Sequence, residues 1–168
     1  MRLLAPLLLA LCAASAPPAQ PKPAAPEAAG APSAEARALE KQFKALGLIY
    51  DVTEVGDYSI VYAITGEGRS HEVRVRPQTS AFDALVIREV FAVAHEYSGP
   101  VPSEVAAELL ALNSTYIIGA WSVEDSAVIF IARIAADASD AELQAAMDAV
   151  VLTADEMENR LSGGADEW

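Results

Sequence analysis

Cysteine is nearly absent from this chain of 168 residues, since Cys12 is the only one. A single cysteine cannot form an intramolecular disulfide, which excludes the disulfide-stapled class of small exported domains. Histidine is scarce too, because only His71 and His95 are present and neither has a second histidine or a cysteine at the spacing of a transition-metal site. The fold must therefore depend on its hydrophobic core.

Positive charge is also in short supply, with 11 Lys and Arg against 24 Asp and Glu and a net charge of -13. Proteins bind nucleic acid through clustered Lys and Arg, and the one local basic group here is Arg69, Arg74 and Arg76. Their spacing predicts a solvated strand face instead of a phosphate-binding surface. We therefore expect no nucleic-acid partner.

The first sixteen residues contain the three parts of a secretory signal peptide. Arg2 supplies the positive charge, Leu3 to Ala13 the apolar run, and Ala14-Ser15-Ala16 the small-residue cleavage site. The apolar run is too short to span a bilayer. The signal predicts a periplasmic or secreted protein, and loss of Arg2 with the signal leaves a net charge near -14.

Two alternatives to soluble export stay open. Leu9-Ala10-Leu11-Cys12 resembles the lipobox of bacterial lipoproteins, in which the acylated cysteine becomes the mature N-terminus, although Leu11 departs from the Gly, Ala or Ser of that pattern. A membrane contact is expected only if Cys12 is lipidated. Pro17 disfavours a cut directly before it, so the cut can fall a residue or more away, and an uncleaved anchor is the other option.

Three regions follow the predicted signal peptide of residues 1–16. Residues 17–32 are almost entirely Pro and Ala, which is typical of a semi-rigid linker. Residues 33–162 are long enough to bury one self-sufficient core and predict a single domain. Residues 163–168 predict a flexible tail.

Helical patterns occur in three places within this domain. Ser33 is an N-cap candidate, with Ala36, Leu39, Phe43 and Leu46 on one stripe and Gly47 as a stop. A second helix is expected over residues 103–113, with Ser103 as its cap. Ser139 and Glu142 form a capping-box pattern before a long third helix whose apolar stripe is Leu143, Ala146, Met147, Val150, Ala154, Met157 and Leu161.

Strand patterns fill the intervals between the helices. The expected strands cover residues 49–55, 58–65, a run that ends at Pro77, 84–96 with a helix as its rival, 116–124 and 127–135. Gly56-Asp57 and Asp125-Ser126 suit tight hairpins. The order α-β-β-β-(β)-α-β-β-α predicts an α+β domain, in which an antiparallel sheet of about five to six strands is covered by helices.

Residues 105–113 (VAAELLALN) and 119–130 (GAWSVEDSAVIF) resemble the second half of the YbjN family of bacterial domains. In that family a helix ends in a Leu-Asn pair, here Leu112-Asn113, a hairpin passes through a short acidic turn, and a long helix closes the domain. The resemblance covers roughly residues 35–161, although Ser114 stands where family members often carry another Asn. It implies a fold similar to type III secretion chaperones and a non-enzymatic role in regulation.

Known catalytic patterns are missing from the sequence. There is no G-x-S-x-G elbow, and Gly66-Glu67-Gly68 lacks the context of a phosphate-binding loop. Asp155, Glu156 and Glu158 lie on an amphipathic helix, where solvated charges are expected. We therefore predict no catalytic, cofactor-binding or metal-binding residues.

Aromatic side chains on predicted strands suggest a binding role. Tyr62, Tyr116 and Trp121 have flat faces that suit a peptide-binding groove, although core packing explains them equally well. An exposed strand edge can accept an extended peptide. We expect an exported protein-interaction or chaperone-like module with a protein or peptide partner, able to form a homodimer. The alternatives are a small-ligand sensor and an envelope hydrolase with a dispersed site around His71 or His95.

Overall fold

The computed structural model describes residues 32–64 and 68–166. The predicted signal peptide, Cys12 and all of the linker except its last residue lie outside this part, as do Gly66 and Glu67. The elements in chain order are α1 (Ala34–Leu46), β1 (Asp51–Val52), β2 (Tyr58–Ile64), β3 (Arg69–Phe82), β4 (Leu85–Glu96), α2 (Ser103–Leu112), β5 (Ala120–Glu124), β6 (Ala127–Ala135) and α3 (Asp140–Leu161).

One antiparallel sheet contains the six strands of the described residues, in the order β1-β2-β3-β4-β6-β5. The long helix α3 packs on β3, β4 and β6, while α1 contacts β3 and α2 contacts β5. This is the predicted α+β architecture, and the strand for which a helix was the rival is present as β4. None of the described helices is long and apolar enough to cross a membrane.

The ends of α1 and α3 are set by local signals, as predicted. Ser33 Oγ accepts a hydrogen bond from the backbone N–H of Ala36 at 3.1 Å, and Gly47 ends α1 in the left-handed conformation, with φ of 70°. Ser139 and Glu142 complete the capping box that starts α3. Both helices therefore begin where the sequence pattern indicates.

The core lies between the helices and one face of the sheet. Inward-facing residues alternate along the strands, as expected for a sheet with one covered face. The largest fully buried apolar side chains include Phe43 of α1, Phe130 of β6, and Leu143 and Met147 of α3. The apolar stripe predicted for α3 is buried from Leu143 to Met157, and Leu161 at its end is partly buried.

Pro77 does not end its strand, and the prediction that it does was wrong. Strand β3 continues to Phe82, because its register with β4 shifts between Val75 and Thr79. Val75 pairs with Val90 and Thr79 with Arg88, so three residues of β3 stand opposite one residue of β4. A bulge of this kind accommodates a residue without an N–H, since that position donates no ladder hydrogen bond.

Three other boundaries differ from the prediction. Strand β1 covers only Asp51–Val52, whereas residues 49–55 were expected. Helix α2 has Pro102 at its N-cap, with no side-chain hydrogen bond, whereas Ser103 was expected there. Strand β5 starts at Ala120 instead of Tyr116. Gly119 precedes it with φ of 80°, and a Cβ at Gly119 would lie 2.5 Å from Cε1 of Phe130. The chain therefore turns tightly over the core before β5 begins.

Candidate functional site

A group of buried charged residues joins β3 to the end of α3, and we call Arg69, His71, Asp155 and Glu158 the charged cluster. Arg69 Nε donates to Asp155 Oδ1 at 3.0 Å and its Nη2 to Glu158 Oε2 at 2.8 Å. His71 Nδ1 lies 3.1 Å from the same Oε2. The residues converge because positions i and i+2 share a strand face, and positions i and i+3 share a helix face.

Two predictions fail at this cluster. Asp155 and Glu158 were expected to be solvated, yet their side chains are 10% and 0% exposed; Glu156 is exposed as expected. Arg69 was expected on a solvated face, yet its side chain is 9% exposed. The physical reason is that Arg69 pairs with both carboxylates, since buried carboxylates and guanidinium groups persist when they are paired and hydrogen-bonded.

The cluster has the composition of a metal site, but the Arg69 guanidinium already pairs with both of its carboxylates. One donor atom from each of His71, Asp155 and Glu158 lies within 4.8 Å of the others. A divalent cation would have to displace the guanidinium, which donates to both carboxylates. The His71 and Glu158 side chains are fully buried, so a substrate could reach the pair only after the structure opens.

The cluster instead anchors the chain after α3. Arg69 Nη1 donates to the carbonyl oxygen of Ala165 at 3.2 Å, and the backbone N–H of Ser70 faces the carboxylate of Asp166 at 3.4 Å. These contacts fix residues 165–166, part of the predicted flexible tail, against the start of β3. Its observed contacts thus give the cluster a structural role.

Arg88 is a second buried cation, and sequence reasoning did not single it out. It lies on the inward face of β4 with Val90 and Ala92, and the whole residue is 4% exposed. Its Nη1 is buried without a hydrogen-bond partner, and no ion pair of Arg88 is found within residues 32–64 and 68–166. The signal in the sequence was a charged residue at an inward position of an alternating strand.

A pocket of about 330 Å³ opens beside Arg88. Its lining includes Ala34, Glu35 and Ala38 from the start of α1, and Asp137 after β6. Burial lowers the pKa of Arg88, while the nearby Glu35 carboxylate acts in the opposite direction. Because arginine stays protonated in proteins, Arg88 is a cation in a place where water solvates it poorly.

The three aromatic residues predicted to contact a partner do not form one surface. Trp121 is 6% exposed, its Nε1 donates to Tyr116 Oη at 3.2 Å, and both rings pack on Phe130. Tyr62 lies on β2, where its hydroxyl accepts a hydrogen bond from Gln144 of α3 at 3.1 Å. All three therefore have packing roles, and their role in partner binding stays a prediction.

The β5 edge of the sheet is partly blocked by Asn113, the residue that follows α2. Asn113 Oδ1 accepts from the backbone N–H of Trp121 at 2.6 Å, and its Nδ2 donates to the Trp121 carbonyl oxygen at 3.2 Å. The amide side chain thereby makes the two hydrogen bonds that a neighbouring strand would make. This gives the Leu112-Asn113 pair a structural function that its sequence pattern did not reveal.

The opposite edge of the sheet is open along most of β2. Strand β1 pairs only through Asp51 with Ser59 and Val52 with Tyr58, whereas β2 pairs with β3 along its whole length. Within the described residues, the outer side of β2 from Ile60 to Ile64 has no strand partner. Unpaired edge groups of this kind can pair with another chain.

Exposed aliphatic side chains surround this open edge. Ile49 is 90% exposed, Val52 60% and Val61 65%. Asp51 and Glu54, also exposed, add negative charge beside them. The edge therefore combines unpaired backbone groups, apolar side chains and an acidic border.

His95, the other histidine, lies on β4, whereas the residues of the charged cluster lie on β3 and α3. Its ring packs against Tyr97 in an edge-to-face arrangement, with centroids 4.6 Å apart. The ring is partly buried.

No family model and no curated protein matches this sequence. Among solved structures the chain is similar to YbjN from E. coli, described there as a candidate transcription regulator, with 10% identity and a TM-score of 0.45. The match covers 76% of this chain and 92% of that chain. At this level the likeness carries no argument about activity, ligands or partners.

Proposed function

We propose that this protein is a non-enzymatic interaction module that binds an extended segment of a partner protein along the open edge of β2. The observation that supports this most is the unpaired outer side of residues 60–64, next to a two-residue β1. Natural proteins usually shorten, twist, charge or cover such edges. Here the Asn113 side chain occupies backbone groups of the β5 edge, whereas the β2 edge has exposed aliphatic residues beside it.

Strand addition would supply both affinity and selectivity at this edge. The backbone of the added segment would bond to the free N–H and C=O groups of β2, and its alternate side chains would meet the exposed aliphatic residues Val52 and Val61. The border of Asp51 and Glu54 and the net charge of -13 favour a segment that carries Lys or Arg between its apolar residues. The partner we propose is therefore an extended, basic and aliphatic segment.

The proposed place of action is outside the cytoplasm, with a chaperone-like role toward exported proteins. This part depends on the sequence of residues 1–16 alone. A chain that crosses a membrane unfolded would present extended segments, which are what strand addition requires. Regulation of a partner would be a consequence of holding such a segment.

The test is capture of envelope proteins by the mature chain, followed by hydrogen exchange of each purified complex. Binding along the edge should slow exchange of the outward-pointing amides within residues 60–64, because they gain hydrogen-bond acceptors. Val61→Lys places a charge at the edge and should abolish capture. Leu152→Lys is the matched control, since Leu152 is 58% exposed on α3, away from the edge.

Two outcomes would contradict the proposal. Complexes that form equally well with Val61→Lys and protect amides elsewhere would remove the β2 edge from the interaction. Concentration-dependent dimers of the purified wild-type chain that Val61→Lys abolishes would assign the edge to self-association instead.

A further inference from the structure

Arg88 forms the floor of the pocket beside it, and its guanidinium makes no ion pair within the described residues. Arg88 is 4% exposed and faces the core side of β4, where the neighbouring inward residues Val90 and Ala92 are apolar. Placing a charge there without a partner is costly. A bound group of opposite charge would remove that cost.

The start of α1 adds to the positive potential at the same place. Ala34, Glu35 and Ala38, from the first turns of α1, line the pocket together with Arg88. A helix N-terminus carries a partial positive charge and favours anions. The positive end of a 13-residue helix and a buried guanidinium therefore meet at one pocket.

The rim of the pocket is negatively charged. Glu35 and Asp137 are exposed, and both line the opening. These carboxylates, with the net charge of -13, disfavour a phosphate or another multiply charged anion. A ligand that carries one carboxylate and one ammonium group matches both the floor and the rim.

Most of the remaining lining residues are small and apolar. Ala34, Ala38 and Val86 present small apolar side chains, and the volume of about 330 Å³ suits a small molecule. A guanidinium can hold a carboxylate through two parallel hydrogen bonds, which a lysine cannot do. The residue at the floor is thus suited to carboxylate recognition.

We propose that this pocket binds a small zwitterion of the amino-acid class, with its carboxylate on Arg88 and its ammonium group between the carboxylates of Glu35 and Asp137. The site is separate from the β2 edge and does not depend on the function proposed above. It is a binding site and involves no bond-breaking step.

Titration of the isotope-labelled chain with three probes, followed through its backbone amide signals, tests the assignment. The probes are L-alanine, which carries both charges, acetate, which has the carboxylate alone, and ethylamine, which has the ammonium alone. L-Alanine should give saturable shifts at Ala34, Val86 and Asp137. Acetate should bind more weakly, and ethylamine should give no saturable shift, because only the zwitterion satisfies both floor and rim.

Substitutions test the role of Arg88 and the role of the two rim carboxylates separately. Arg88→Met and Arg88→Lys should each weaken L-alanine binding by about ten- to hundredfold, since the bidentate contact is lost. Arg88→Lys keeps a cation and so serves if Arg88→Met does not fold. Glu35→Gln with Asp137→Asn should weaken L-alanine but not acetate. Arg133→Met, at an exposed arginine on β6, is the matched control and should bind like wild type.

Three results would overturn the proposal. The first is the absence of saturable L-alanine shifts in the wild-type chain. The second is unchanged affinity for L-alanine in both Arg88 variants. The third is acetate binding as tight as that of L-alanine, with neither affected by the rim substitutions, which would indicate a plain carboxylate site.

Discussion

Glu158→Gln should destabilise the domain far more than its conservative chemistry suggests. Glu158 is fully buried and its Oε2 meets both Arg69 Nη2 at 2.8 Å and His71 Nδ1 at 3.1 Å. Removing one partner of a buried ion pair typically costs about 3–5 kcal/mol, because the other charge remains buried. Arg69 keeps its contact with Asp155, so we expect the lower end, about 3 kcal/mol.

That loss is a large share of the total stability. A domain of this size has a free energy of unfolding of about 5–15 kcal/mol, so the midpoint of thermal unfolding should fall by about 10 °C. Urea unfolding followed by circular dichroism measures the change directly. The slope of the free energy against urea concentration should stay constant if the folded and unfolded states keep their compactness.

Glu108→Gln is the matched control. Glu108 pairs with Arg160 across α2 and α3, but the two side chains are 50% and 45% exposed. An exposed pair contributes less than about 1 kcal/mol. Equal losses of stability in Glu158→Gln and Glu108→Gln would refute the view that burial decides the strength of these pairs.

A double substitution adds a second check on the same reasoning. Arg69→Met with Glu158→Met replaces the central pair by apolar side chains of similar length and should cost less than the sum of the two single substitutions. The difference between the double variant and that sum is the coupling energy. A coupling energy near zero would mean that the two side chains do not stabilise each other.

Three other predictions address separate parts of the protein. Asn113→Ala should lower the free energy of unfolding by about 1–3 kcal/mol, because the backbone N–H and C=O of Trp121 lose their partner. Urea unfolding measures this change, and an unchanged free energy would contradict the proposed role of Asn113 at the β5 edge. Burial raises the pKa of Asp57, so the folded state holds this proton more tightly than the unfolded chain and stability is lost as the pH rises through the folded pKa. Asp57→Asn should therefore be more stable than wild type at neutral pH, and this advantage should shrink as the pH falls toward about 4. A difference in stability that stays constant between neutral pH and a pH of about 4 would contradict this. Residues 1–32 fused to alkaline phosphatase should give active enzyme outside the cytoplasm, and the intact mass of the mature chain should correspond to a cut at or within a few residues of Ala16. An added acyl mass on Cys12 would indicate the lipoprotein form.

The parts of the fold that sequence predicts are those with local causes. Ser33, Gly47 and the Ser139-Glu142 pair act on backbone groups within a few residues, so their patterns specify where α1 and α3 begin and where α1 ends. The β-branched and aromatic residues of β4, and the short polar Asp125-Ser126 connection before β6, likewise predicted these two strands. The element order, and with it the α+β class, follows from these signals.

The parts that sequence missed depend on distant partners. Arg69 and Asp155 are 86 residues apart, so a helix that looked amphipathic gave no sign that its two carboxylates meet a strand. The sequence predicts a strand end at Pro77, because the compensating bulge depends on the pairing with β4. Arg88 could have been found, since the alternation of β4 places it with the inward residues Val90 and Ala92.

A photo-crosslinking amino acid at position 61 tests the use of the β2 edge most directly, because it reports contacts made inside living cells. Val61 is 65% exposed beside the open edge, and Leu152, 58% exposed on α3, is the comparison position. We expect crosslinked adducts with one or more exported proteins from position 61, joined through an extended segment, and none of them from position 152. The same adducts from both positions, or none from position 61, would contradict strand addition at this edge.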